Sequence, residues 1–265
     1  MTRDLEAFYL PTGDDDGIFE STPATASPWD HSLQHGGPPA ALLARAIESV
    51  RSDPALSIAR FTADMLGGIP QGTMRVEAHV VRPGRRVELI EASLWAGDRL
   101  AVKASAWLIR ATPGSTREHW RAEEKVPDIP PASSERFFEG VSPDWGYGRA
   151  LDWRFVSGGY QPGPATVWAR LRVPLVAGEQ DSPVQRLLTL ADSTNGLSGS
   201  LPMNEWYFIP PTVTVTIERP PTSEWMLLDA RSTIGPDGIG QAHGDMADDH
   251  GTFATVTQPL MVAPR

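Results

Sequence analysis

The residues whose type and setting could do chemistry are few. His35-Gly36-Gly37 stands directly before a helical pattern. Helix N-terminal amides favour negative charge, and glycine lets a ligand approach the main chain closely. Asp192 stands at the end of a second helical pattern, in the run LADSTNG; the Ser-Thr-Asn-Gly after it is, by itself, the setting of a capping or turn residue. Gln258 lies in the alternating run TVTQPLMV, which leaves open whether it faces inward or toward solvent. The histidines (His31, His35, His79, His119, His243 and His250) show no metal-ligand spacing. His31 and His35 are four apart, but Gly36 and Gly37 start the helix too late to hold both on it. The chain has no cysteine, which excludes thiolate nucleophiles, disulfides and Cys-based zinc sites. GLSGS at 196–200 lacks the G-x-S-x-G spacing of a nucleophile elbow. GIGQAHG at 238–244 sits inside a strand-like segment, not between a strand and a helix. No cofactor is implied.

The elements that must position these residues occur twice. From Gly36 to Val50, Leu42, Leu43, Ala46, Ile47 and Val50 recur at helical spacing, and Pro38 and Pro39 fall where a first turn tolerates them. Strand-like segments follow at 72–81, 86–95 and 100–110, punctuated by Pro83-Gly84 and Gly97-Asp98. Met74, Val76, Ala78 and Val80 alternate with polar neighbours, as in a half-buried antiparallel strand. The second half repeats the order. A helix is expected over 182–193, with Ser182 as N-cap and Pro183 after it, then strands at 212–219, 224–233, 238–248 and 252–262, with the last hairpin turn at Asp248–Gly251. Two shorter strand candidates precede each helix: AFYLP and GIFES before the first, ALDWRFV and TVWARLRVPL before the second. Between the halves, 111–144 is rich in Pro, Ser and charge and reads as a connector crossing the surface. The expected organisation is a unit at 1–110, a connector at 111–144 and a second unit at 145–265. Both helices carry a wide apolar face that a sheet must cover, so the fold class is α+β, two antiparallel sheets each wrapping its own helix.

An apolar fraction of 40% with 21% charged residues fits a globular chain rather than a disordered one. A net charge of −10 predicts no net attraction to nucleic acid or to an anionic membrane. The N-terminal MTRDLEAFYLPTGDDDG carries acids where a secretory signal needs a basic and then an apolar stretch, and no run approaches the length of a membrane span. A cytoplasmic location is the expectation.

The segment HSLQHGGPPAALLARAIESV, with strands ending in KASAWLIRA, resembles the N-terminal half of thioesterase II-type acyl-CoA thioesterases. The run from LADSTNGLSGS to the C-terminus resembles their C-terminal half, particularly that of actinobacterial relatives. The resemblance covers nearly the whole chain except the connector and implies a double hotdog fold and hydrolysis of a fatty acyl-CoA thioester by water. A local basic cluster could bind an anionic ligand such as coenzyme A. The family's site is an Asp on the second-half helix, a Gln on the last strand and a Thr on an intervening strand. Asp192 falls on the Asp position and Gln258 on the Gln position. Counting back from Arg219-Pro220, the Thr position falls on Pro210, which has no hydroxyl; Thr212 and Thr214 lie close by as substitutes.

Thioester hydrolysis needs a nucleophilic water and a stabilised oxyanion. The resemblance makes Asp192 the general base, its basicity raised by burial, and Gln258 the group that orients the water. His35, Gly36 and Gly37 become the substrate and oxyanion site, with the thioester oxygen near the Gly37 amide. Aligning SAWLI with TQPLM sets Ala106 where Gln258 stands, and the first helix has Glu48 as its only acid, so one site per chain is expected. The alternatives are a non-catalytic acyl-CoA or lipid-binding protein and an enoyl-CoA hydratase; the latter wants a His-Asp pair on one helix, which neither helix supplies. A sheet edge left by each hotdog pair invites self-association into a homo-oligomer.

Overall fold

A computed structural model describes residues 5–13, 17–115, 126–132, 141–142, 144–159 and 162–265. In the first half, β1 (Tyr9–Pro11) and β2 (Ile18–Ser21) lead to α1 (Gly37–Val50), followed by β3 (Leu56–Met65), β4 (Thr73–Arg82), β5 (Val87–Ala96) and β6 (Arg99–Arg110). In the second half a short helix, α2 (Gly146–Arg149), precedes β7 (Leu151–Ser157), β8 (Ala165–Leu171) and α3 (Pro183–Ala191). Then come α4 (Thr194–Leu197), β9 (Trp206–Ile209), β10 (Thr212–Ile217), β11 (Met226–Ile234), β12 (Ile239–Asp248) and β13 (Gly251–Pro264). The connector expected over 111–144 lies largely outside the described residues.

The strands form one continuous antiparallel sheet in the order β1-β2-β4-β5-β6-β3-β10-β13-β12-β11-β8-β7, with β9 paired to the far end of β13. Read inward from its two ends, the sheet gives the same succession of equivalent strands. The halves are therefore related by a pseudo-twofold axis and join edge to edge through β3 and β10. At this seam Thr62 stands directly opposite Thr214. The fold is α+β, a double hotdog, as the sequence pattern and the resemblance led one to expect.

Each helix is where its signals put it. Pro183 follows Ser182, whose hydroxyl accepts from the Gln185 amide at 3.1 Å while the Gln185 side chain accepts from the Ser182 amide at 3.2 Å. This reciprocal cap contributes about 1 kcal/mol. In α1, Leu42, Leu43 and Ile47 are fully buried, each contributing about 1.5–3 kcal/mol. Both helices and the inner faces of both half-sheets share one core.

The sheet differs from the sequence expectation at β3 and at the β1 edge. Strand β3 is absent from the sequence reading because its alternation changes phase. Leu56 and Ile58 face inward, the register slips between Ile58 and Arg60, and Phe61 and Ala63 then face inward. A bulge adds one residue and so flips the faces, which destroys the period-2 signal. The edge at β1 is also not free: the Phe8 and Tyr9 amides donate to Pro174 and Leu175 carbonyls at 3.0 and 2.9 Å, and Ala177 N donates back to Tyr9 at 3.0 Å. The chain itself covers this end of the sheet. Among the described residues, no helix is long and apolar enough to cross a membrane.

Candidate active site

The site begins with a break in a helix. The sequence predicts one helix over 182–193; the structure ends α3 at Ala191 and resumes as α4 at Thr194. Asp192 and Ser193 have ψ of −7° and −8°, and the Ser193 amide donates to Leu190 at 2.9 Å instead of reaching back to Thr189. This tight turn places the Asp192 side chain between the two helices and aims the Asn195 amide at β13.

Gln258 lies on the inward face of β13, between Val256 and Leu260, which are also buried. Its Oε1 accepts from the Asn195 amide at 3.1 Å and its Nε2 donates to Asp192 Oδ1 at 2.9 Å. A backbone N–H can only donate, so the Gln258 amide has one permitted orientation. The expected water-orienting role is not what these contacts describe: Gln258 holds the carboxylate itself. The register also bears on the first half. Thr62 and Thr214 pair with Ser105 and Thr257 respectively, so Ala106 occupies the position equivalent to Gln258 and carries no polar group.

On its other side Asp192 accepts from the Gly36 amide. Gly36 has ordinary right-handed dihedrals, so space rather than backbone conformation demands glycine here: a β-carbon would lie 2.7 Å from Asp192 Oδ2. At Gly37 it would lie 2.1 Å from the Thr189 carbonyl oxygen, so this glycine lets α1 and α3 touch through their backbones. Burial pushes the Asp192 carboxyl up to about 7 against the lowering influence of the Gly36 and Gln258 donors.

His35 Nδ1 accepts from the Gly37 amide at 3.1 Å, which puts the ring proton on Nε2. Burial lowers the imidazole pKa to about 3, so the 3.5 Å approach of Nδ1 to Asp192 Oδ2 is not an ion pair. Two acceptors face each other there, which further favours protonated Asp192. The expected placement of the thioester oxygen at the Gly37 amide needs correction, because that amide already serves His35 and the Gly36 amide serves Asp192. The His35 ring lies flat on Tyr147, with centroids 3.8 Å apart and planes 7° from parallel. The structure thus pairs a His with an Asp across two elements, where sequence reasoning sought such a pair on one helix.

Asp192, His35, Gly36, Ser193 and Asn195 line a cavity of about 500 Å³. Ser27 and Gln34 also line it, and the rest of its wall is largely apolar, built mainly from Trp29, Trp145, Trp153, Met65, Met203, Met261, Ile209 and Pro210. Trp145 and Trp153 donate their indole N–H groups to Ala26 and Gly148 carbonyls at 2.7 and 2.8 Å, which fixes the rings and turns apolar surface to the cavity. Thr212 and Thr214 do not reach it. Val213, Val215 and Ile217 take the inward face of β10, so the threonines face the other way. Thr212 Oγ1 donates to the Ala63 carbonyl at 3.0 Å, and Thr214 Oγ1 meets Thr62 Oγ1 at 3.0 Å. Their proposed catalytic role is thereby corrected. Sequence reasoning missed Tyr147 and the aromatic wall, which lie on short or irregular segments without periodicity. Among the described residues, no group of three or more His, Cys, Asp or Glu side chains is arranged to hold a metal ion.

A continuous sheet around two helices places the chain among hot dog proteins. A conserved protein of unknown function with a hot dog fold from Alicyclobacillus acidocaldarius is similar with a TM-score of 0.71 at 20% identity, over 96% of this chain and 95% of that one. An acyl-CoA thioesterase II from Mycobacterium marinum is similar with a TM-score of 0.67 at 17% identity, over 96% and 94%. At these identities the likeness shows the fold. The family follows from the sequence itself: residues 25–109 match the acyl-CoA thioesterase N-terminal domain and residues 123–262 match the acyl-CoA thioesterase C-terminal domain. The chain belongs to the acyl-CoA thioesterase family. No curated protein matches it.

Proposed function

We propose that this protein hydrolyses acyl-CoA thioesters, with Asp192 as the general base. One observation carries the reading: a buried carboxylate with its pKa raised to about 7 stands in the wall of a largely apolar cavity. A base poised near the working pH is suited to taking a proton from water. The acyl group lies against the tryptophan and methionine wall. Asp192 removes a proton as water oxygen bonds to the thioester carbon, and the carbonyl oxygen takes the negative charge. His35 Nε2–H, with no bonded partner among the described residues, is the donor proposed to meet that oxyanion. Collapse breaks the C–S bond, and the proton held by Asp192 passes to the departing sulfur. Gln258 and the Gly36 amide keep the carboxylate in place throughout.

Pro210 favours a second reading, ligand binding without turnover. It lies in the cavity wall at the position where the resemblance places a hydroxyl-bearing Thr. A panel of acyl-CoAs of increasing chain length, read by release of free thiol, decides between them. Thiol release that is lost in Asp192→Asn supports the esterase. Calorimetric binding without thiol release supports the binding protein, and loss of enoyl absorbance without thiol release would support a hydratase.

A further inference from the structure

The break at Asp192–Ser193 leaves an orphan. In an uninterrupted helix the Ser193 amide would bond the Thr189 carbonyl; here it bonds Leu190, and Thr189 O loses its helical donor deep in the core. A buried carbonyl without a partner is costly. The Tyr147 hydroxyl fills the gap, donating to Thr189 O at 2.8 Å. Having given its one proton there, it accepts from the Ser193 hydroxyl, also at 2.8 Å. The same ring stacks on His35. One fully buried side chain on α2 therefore touches both sides of the break and the imidazole beside the carboxylate.

We infer that Tyr147 is a positioning residue: its hydroxyl replaces the helical donor of Thr189 and so holds open the turn that presents Asp192 to Gly36 and Gln258. Without the hydroxyl, the favourable exchange is for the Ser193 amide to return to Thr189 O. The helix then closes, and Asp192 is carried away from its two donors. The inference rests on the proposed function only for its kinetic consequence; the geometric claim stands independently. Among the described residues, the titratable groups facing Asp192 are His35, from the segment before α1, and Tyr147, from α2.

The test is Tyr147→Phe, which keeps the stacked ring and removes only the hydroxyl, with a melting curve to confirm folding. The Asp192 carboxyl is followed by ¹³C NMR titration, its signal assigned by its loss in Asp192→Asn. Losing hydrogen bonds that favour the ionised form moves the titration upward by roughly one unit. If the parent hydrolyses acyl-CoA, kcat below pH 7 falls by up to about tenfold, the drop in ionised Asp192 that a one-unit shift produces there, with KM little changed. A lowered melting temperature with an unmoved titration would mean a merely structural tyrosine and overturns the inference. If the parent shows no hydrolysis, the proposed function fails, while the titration still decides the role of Tyr147.

Discussion

Gly36 and Asp192 meet across the two helices at a distance that admits no side chain on the glycine: an added β-carbon would sit 2.7 Å from Oδ2 and 2.9 Å from Met65 Cε. Gly36→Ala therefore displaces the carboxylate or the flexible methionine, and the expected result is lower kcat in a protein that still folds. Gly37→Ala meets the Thr189 backbone at 2.1 Å, which cannot swing aside. Forced overpacking of this kind costs about 1–3 kcal/mol, so Gly37→Ala should show the larger loss of melting temperature. Paired melting curves and rates check the ranking.

Activity should fall on acidification. Asp192 must be ionised to accept a proton, and its pKa is raised to about 7, so kcat/KM should lose its plateau as pH drops below that value. Asp192→Asn should lower kcat by roughly a hundred- to ten-thousand-fold, the usual range for a general base, with KM little changed. A pH-rate profile with no limb near 7, or an active Asn variant, would refute the assignment.

The same carboxyl makes a stability prediction of opposite sense. Its folded pKa is about 7 and its unfolded value about 3.9, so between these values the folded state binds more protons. Stability then declines as pH rises through that window, by a total on the order of 4 kcal/mol. Asp192→Asn carries no such penalty. Its melting temperature should match the parent near pH 4 and exceed it at pH 8; equal curves at both would contradict the burial argument.

Gln258→Ala removes a donor from Asp192 and strands the buried Asn195 amide. An unsatisfied buried group of this kind costs about 1–3 kcal/mol, and the acid limb of the rate profile should move to higher pH. The loss in kcat should be smaller than that of Asp192→Asn, because the base itself remains.

Thr212→Val and Thr214→Val should leave turnover unchanged. Both hydroxyls point away from the cavity into the β3–β10 seam, and each hydrogen bond contributes about 0.5–1.5 kcal/mol to stability. A large fall in kcat for either variant would return the strand to the active site.

Much of this arrangement was legible in the sequence. Ser182-Pro183 marked the start of α3, Ala106 was matched to Gln258, and Asp192 was picked out beside Gln258 by resemblance. The outward facing of Thr212 and Thr214 was also written there, since Val213, Val215 and Ile217 claim the inner face. Strand β3 was not legible because the slip after Ile58 cancels its period. Tyr147 was hidden because a four-residue helix has no periodicity, and its partner is a backbone carbonyl freed by a break that local pattern does not announce. The Gly36 contact depends on how two distant helices cross, which spacing along one chain does not encode.

The pseudo-twofold axis sets two acidic residues in comparable places, each near the N-cap of the opposite helix. Glu48 accepts from Ser182 Oγ and Gln185 Nε2, both at 2.8 Å, with Arg51 3.8 Å away; Asp192 has one backbone amide, one carboxamide and a buried place in the cavity wall. In an assembly of two identical subunits, whatever is built at one such crossing is built at both, and an unstable carboxylate is carried twice. Continuity of the chain removes that obligation. One crossing can serve as a clasp and the other as a reactive centre, because each is written by a different stretch of sequence.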